Sequence, residues 1–161
     1  MGLRVSELPG LRWEDIDFES LAVNIRRSVV EGEINPTRTE ASESVLPLDP
    51  DLAEVLLAHK ARSSCSDGAA FVFAGRSGEP PWPDNVLADY LKPAATKAGI
   101  GNIGWHTFRH TYSTLLHSLG ARPIVQKELL RHADVTTTLN LCTQAISAEK
   151  RETASKVVDV L

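Results

Sequence analysis

Four basic side chains and one thiol carry most of the chemistry open to this sequence. Arg4 stands three residues before Glu7, a spacing at which a carboxylate can orient a guanidinium one turn away. His106 and Arg109 are also three apart, so on a helix both leave the same face. His132 follows Leu129-Leu130-Arg131, at what reads as a helix end, where a partly positive imidazole is favoured. A guanidinium offers a planar fork of donors that fits phosphate or carboxylate oxygens, and an imidazole exchanges protons near neutral pH. Cys142 is a nucleophile once nearby cations lower its thiol pKa from the usual value of about 8.5. Taken singly, each has a plainer reading: a surface Arg–Glu pair, a capping or core histidine, a small buried apolar cysteine.

Order and surroundings favour the chemical reading. Gly2-Leu3-Arg4-Val5-Ser6-Glu7-Leu8, followed by Leu11-Arg12-Trp13-Glu14-Asp15-Ile16-Asp17, is similar to the first arginine motif of the tyrosine recombinase (phage integrase) family, G-L-R-x-S-E-L. Trp105-His106-Thr107-Phe108-Arg109-His110-Thr111 resembles that family's H-x-x-R block. Leu129-Leu130-Arg131-His132-Ala133 resembles the block after it. Thr138-Leu139-Asn140-Leu141-Cys142-Thr143-Gln144-Ala145 resembles the nucleophile block, which usually reads close to T-L-x-x-Y-T-Q-A.

The resemblance covers nearly the whole chain. It implies an α+β, mainly α, catalytic-domain fold of the DNA breaking-rejoining type with a small antiparallel β-sheet, one domain over residues 1–161, and duplex DNA as partner. It also implies roles. Arg4 and Arg109 clamp the attacked phosphodiester, whose charge grows on the non-bridging oxygens in the transition state. His106 and His132 donate to phosphate or transfer protons. No cofactor and no metal is expected.

Two positions depart from the family pattern. Arg38, in Pro36-Thr37-Arg38-Thr39-Glu40-Ala41-Ser42, best matches the family's hairpin Lys, and a guanidinium with a pKa above ~12 is a poor proton donor to a leaving oxygen. Cys142 occupies the place of the Tyr nucleophile, and its sulfur stops short of where a phenol oxygen would reach. The expectation is a DNA-binding domain deficient in cleavage. The helix before the first arginine and the N-terminal core-binding domain of the family are not in this sequence, so an incomplete catalytic domain is expected. Two other readings stay open. One is an interaction module without DNA function, self-associating through a C-terminal helix bearing Val157, Val158 and Leu161. The other is an enzyme that uses Cys142 or water at the phosphate. Tyr90 and Tyr112 fit core stripes and do not replace the phenol, and His110 is expected in packing.

The elements that must position these residues follow from periodicity. The first eight residues read as the end of one helix and the start of another. Alternation from Trp13 into Leu21–Ile25 predicts a strand that Val29 and Val30 extend, with a turn-like stretch from Glu31 to Pro36. Ser44–Leu48 reads as a returning strand, with Pro47 confining it to an edge or an end. Pro50 opens a helix with Leu52, Val55, Leu56 and His59 on one face, and Phe71–Phe73 is a short buried strand or turn. Pro83-Asp84 opens a second helix with Val86, Leu87, Tyr90 and Leu91 inward, ending near Gly99. Helices follow over about 106–119, 123–131 and 136–145, with Gly120 capping the first, and a final one begins near Ser147.

Composition sets outer bounds. The chain has 161 residues, 42% hydrophobic and 24% charged, enough for one domain with a real core. No apolar run approaches the ~18 residues of a bilayer span, and no secretory pattern opens the chain. Cys65 and Cys142 match no metal or disulfide spacing. A cytoplasmic location is the default expectation. The net charge of −4 lowers the expectation of tight nonspecific binding to nucleic acid, and leaves room for a local basic cleft.

Overall fold

The alternating stretches between Trp13 and Leu48 pair with one another before any helix begins. The computed structural model describes residues 1–36, 44–132 and 134. Strands β1 (Ile16–Asp17), β2 (Ala22–Ile25) and β5 (Ser44–Pro47) form an antiparallel sheet in the order β1-β2-β5. Val23 lies opposite both Ile16 and Leu46, and these three with Ile25 point into the core, as period-two alternation requires. Pro47 sits on the edge strand, where its missing N–H costs no ladder bond.

Strands β3 (Arg27–Val30) and β4 (Glu33–Pro36) make a separate hairpin. Its two-residue turn places Glu31 and Gly32 at φ 53° and 81°, the positive pair that matches strand twist. The expected turn-like stretch from Glu31 to Pro36 is thus a turn of two residues and a strand of four, because every β4 residue finds a partner in β3.

The first residues also differ from expectation. Arg4 to Leu8 form a turn, closed by Glu7 N–H and Leu8 N–H donating to Arg4 O at 3.0 and 3.3 Å. Their neighbours are held by strand and loop partners rather than by a helix ladder. Val29 N–H donates to Ser6 O at 2.7 Å, Val72 N–H to Leu11 O at 2.9 Å, and Trp13 N–H to Ala70 O at 3.1 Å. The segment bearing Arg4 is therefore fastened to the sheet side of the molecule.

Helix α1 (Pro50–Arg62) starts with Asp49 accepting from Asp51 N–H at 3.0 Å and with Pro50 in its first turn. Ala53 and Leu56 are buried, whereas Val55 is 61% exposed; the inward stripe runs through Leu52, Ala53 and Leu56, one position round from Val55. Phe71 and Val72 are buried, and Phe71 bridges Arg12. Leu11, Trp13, Ile16, Val23, Leu46, Leu48, Leu56 and Val72 share one core.

The predicted second helix is interrupted. It comprises α2 (Pro83–Val86), a π turn over Leu87–Leu91, and α3 (Lys92–Lys97). Pro93 has no N–H and its ring crowds the carbonyl four residues back, and the wide turn, with Lys92 N–H donating to Leu87 O, accommodates both. The extra residue rotates Tyr90 outward to 71% exposure, so Tyr90 is not in the core. Helices α4 (Trp105–Ser118) and α5 (Pro123–Leu130) pack together. Gly120, at φ 74°, ends α4 as expected. The helices predicted over 136–145 and from Ser147 lie outside the described residues.

Candidate active site

Three parts of the chain meet at one cleft of ≈ 480 Å³, lined by Leu3, Arg4, Val5, Ser6, Trp105, His106, Arg109 and His132. The turn after Gly2 supplies Arg4, the first turns of α4 supply His106 and Arg109, and the end of α5 supplies His132. The four predicted basic residues are therefore brought together. Arg38 and Cys142 lie outside the described residues. His110 is exposed on α4, one residue round from Arg109, with its ring 6.5 Å from that of His106; it is not in packing.

Each side chain is held by local structure. Thr107 Oγ1 accepts from Gly104 N–H at 3.0 Å, and Trp105 Nε1–H donates to Pro83 O at 3.1 Å, which fixes the start of α4 and the angle at which His106 and Arg109 leave it. Arg109 Nη1 donates to Gly2 O and Nη2 to Leu130 O, so one guanidinium ties the first turn to α5. A Cβ on Gly2, which has φ 62°, would stand 2.5 Å from Tyr112 Cδ1; only glycine lets this segment lie so close to α4. Arg4 donates from Nη1 to Glu7 Oε1 at 2.8 Å and from Nη2 to Arg131 O at 2.6 Å. Glu7 Oε2 also accepts from Arg4 N–H at 2.7 Å.

At the end of α5 Arg131 adopts the left-handed conformation, φ 53° and ψ 48°. Its N–H donates to Glu128 O and that of His132 to Lys127 O, both at 3.0 Å, which is the Schellman closure of a helix. The C-terminal capping expected of His132 is thus made by its backbone, leaving the imidazole at the cleft. Arg131 itself is buried, 3% exposed, and pairs with Glu7 Oε2. Its side chain was not singled out from the sequence; the signal was a charged residue between two leucines and His132, at a helix end where glycine is usual.

Two guanidiniums, from Arg4 and Arg131, therefore pair with one carboxylate, Glu7, and that of Arg109 adds a third positive charge near enough to feel all three. The excess of positive charge marks the electrostatics. Burial, then repulsion from Arg4, lowers the Arg109 pKa to about 10. Burial, then Arg109 and Arg4, push the His132 imidazole down to about 4, so it is neutral at pH 7 and ready to donate or accept a hydrogen bond. An arrangement with surplus fixed donors at a cleft suits an anion with several oxygens. Among the described residues no group of three or more His, Cys, Asp or Glu is placed to hold a metal ion, and no helix is long and apolar enough to cross a membrane.

Comparison with known proteins bears on the same residues. The sequence model of the phage integrase family matches residues 1–147. The chain is similar to the XerC-like tyrosine recombinase of Caldanaerobacter subterraneus subsp. tengcongensis, 27% identical over 183 residues that span 99% of this chain and 46% of that protein. It is similar also to tyrosine recombinase XerC of Pseudomonas aeruginosa, 33% identical over 145 residues, 85% of this chain and 42% of the relative. The chain thus spans under half the length of these relatives. Among solved structures it superposes on the integrase of transposon Tn1549 in complex with a circular intermediate DNA, with TM-score 0.75 at 22% identity over 87% of this chain and 50% of that one. The XerA recombinase matches with TM-score 0.72 at 22% identity over 96% of this chain and 52% of its own. The fold and the family match agree: this chain belongs to the phage integrase family, the tyrosine recombinases, and has their catalytic-domain fold.

Proposed function

We propose that this chain is the catalytic domain of a site-specific tyrosine recombinase or integrase that binds duplex DNA and cleaves it poorly. The observation that carries the reading is the convergence of Arg4, His106, Arg109 and His132 on one cleft, from positions far apart in the sequence. The Tn1549 integrase, similar in fold, is seen bound to DNA, which supports duplex DNA as the partner here. A backbone phosphate in the cleft would take donors from Arg4 and Arg109 on its non-bridging oxygens, beside His106 and the neutral imidazole of His132. Those donors sit in a partly dry, fixed setting, so they need little reorganisation as charge grows on the phosphate.

Chemistry beyond binding rests on Arg38 and Cys142. With a guanidinium in place of an ammonium the leaving 5′ oxygen loses a proton donor. With sulfur in place of a phenol the nucleophile is shorter by an aromatic ring. Binding without efficient strand cleavage follows.

The test is fluorescence anisotropy of the purified chain on labelled duplex DNA over a salt series, beside an Arg4→Ala, Arg109→Ala variant. Binding that weakens with salt and is lost in the variant supports the reading; no binding at low salt overturns it. On a nicked substrate, Cys142→Tyr with Arg38→Lys is expected to restore a covalent 3′-phosphate adduct, and a Cys142 adduct in the unaltered chain would sink the claim of deficient cleavage.

A second reading is favoured by one surface. Phe108 and Leu115 are exposed on one face of α4, with exposed Leu119 just past its end, and the first two line a mostly apolar cleft of ≈ 500 Å³ together with Leu52, Leu56 and Phe73. A protein partner, including a second copy, fits such a face. Light scattering of the chain against one ending at Ser147 checks whether the last residues mediate self-association; an unchanged mass counts against it.

A further inference from the structure

We infer that Arg131 is a positioning residue for Arg4, a role that rests on the phosphate-binding reading of the cleft. Residue 131 holds Arg4 from two sides. Its carbonyl accepts from Arg4 Nη2 at 2.6 Å, and its side chain pairs with Glu7 Oε2 while Glu7 Oε1 takes Arg4 Nη1 at 2.8 Å. Glu7 is thus a bridge between two guanidiniums, and the closed circuit of three residues leaves Arg4 one orientation.

The backbone states why this residue is unusual. The left-handed conformation at the end of α5 is one that glycine adopts without cost and a long side chain does not. The Arg131 side chain is moreover desolvated, with Nε and Nη1 lacking a hydrogen-bond partner among the described residues, and its own pKa is lowered by burial first, a shift that Glu7 opposes. Strained backbone and unpaired buried donors are unfavourable alone, so the compensating interaction is the one with Glu7. Arg131 does not line the cleft; whatever it does for a bound phosphate passes through Glu7 and Arg4. The same backbone turn aims the neighbouring His132 at the cleft.

Arg131→Gly keeps the helix closure and removes the guanidinium; Arg131→Lys keeps the charge. Each is made in the unaltered 161-residue chain and in Arg4→Ala, and binding to labelled duplex DNA is measured by anisotropy. Arg131→Gly is expected to weaken binding on the order of tenfold, the effect of one charge-assisted contact, with partial recovery in Arg131→Lys. In the Arg4→Ala background the same change is expected to do nothing. An equal loss in both backgrounds would mean that Arg131 acts by general charge or by stability, and the inference would be wrong. A readout independent of DNA is the guanidinium NMR signal of Arg4. Separate, slowly exchanging Nη resonances are expected in the unaltered chain, collapsing to rapid rotation in Arg131→Gly. Persistence of those separate resonances in Arg131→Gly overturns the inference even where DNA binding is absent, and absence of DNA binding with the collapse observed removes only the phosphate reading.

Discussion

At the scale of single residues, Arg109 has two duties. Its guanidinium fastens Gly2 O and Leu130 O and also faces the cleft. Lysine is a point donor without the fork and cannot make both contacts. Arg109→Lys is therefore expected to lower unfolding stability by about 2 kcal/mol, the size of lost charge-assisted hydrogen bonds, in urea denaturation, and to abolish salt-sensitive DNA binding. His132 gives a pH signature. Its folded pKa of about 4 lies below the ordinary 6.5, so the unfolded state binds the extra proton first. The stabilisation is complete above about pH 6.5 and is lost as pH falls through the folded value near 4. The thermal midpoint should decline over that window, and His132→Gln should flatten the decline; an unchanged slope in the variant would assign it to another group. A bound phosphate offsets Arg4 and Arg109, so adding duplex DNA should raise the His132 titration midpoint seen by NMR.

Elements transmit these local demands. The hairpin of β3 and β4 is anchored by Asp15, which accepts from Arg12 N–H at 2.9 Å and pairs with Arg27 Nη1 at 2.6 Å. Asp15 is 1% exposed, and removing it leaves Arg12 N–H without its side-chain acceptor and Arg27 with Glu14 alone, at 2.7 Å. Asp15→Ala is expected to cost about 2 kcal/mol, the size of lost charge-assisted hydrogen bonds, in chemical denaturation. Because Val29 N–H holds Ser6 O, a loosened hairpin should also weaken DNA binding; full binding by a folded Asp15→Ala chain would show that the hairpin does not support the Arg4 turn. The π turn makes a separate prediction. With Pro93→Ala the donor toward Asp89 O returns, and a continuous α-helix from Pro83 to Lys97 is expected by NMR, with Tyr90 fluorescence shifted as its ring turns from solvent.

For the whole molecule, a net charge of −4 coexists with a cleft lined by two guanidiniums, those of Arg4 and Arg109. Binding should then depend on a few phosphate contacts at the cleft and little on overall attraction. A plot of log affinity against log salt is expected to have a slope of about −2 to −4, at roughly −0.9 per phosphate contact. A slope near −10 would point to a broad basic surface in place of a few contacts at the cleft.

The family, the α+β class and the four cleft residues were legible in the sequence, because motifs such as Gly2–Leu8 and Trp105–Thr111 are local and their spacing survives folding. Strand alternation at Val23 and Leu46, the proline that opens α1 and the glycine that ends α4 were legible for the same reason: each acts on its own backbone. Tertiary structure alone decided the rest. Val55 and Tyr90 have core-like types and face solvent, since a stripe's exact direction depends on neighbouring elements and, for Tyr90, on a wide turn. The first turn is held by Val29 and by Arg109 across the fold, and so could not be told from a helix end. Arg131 reaches Glu7 from more than a hundred residues away; periodicity carries no trace of such a pair, because long-range electrostatic partners are set by packing and not by spacing.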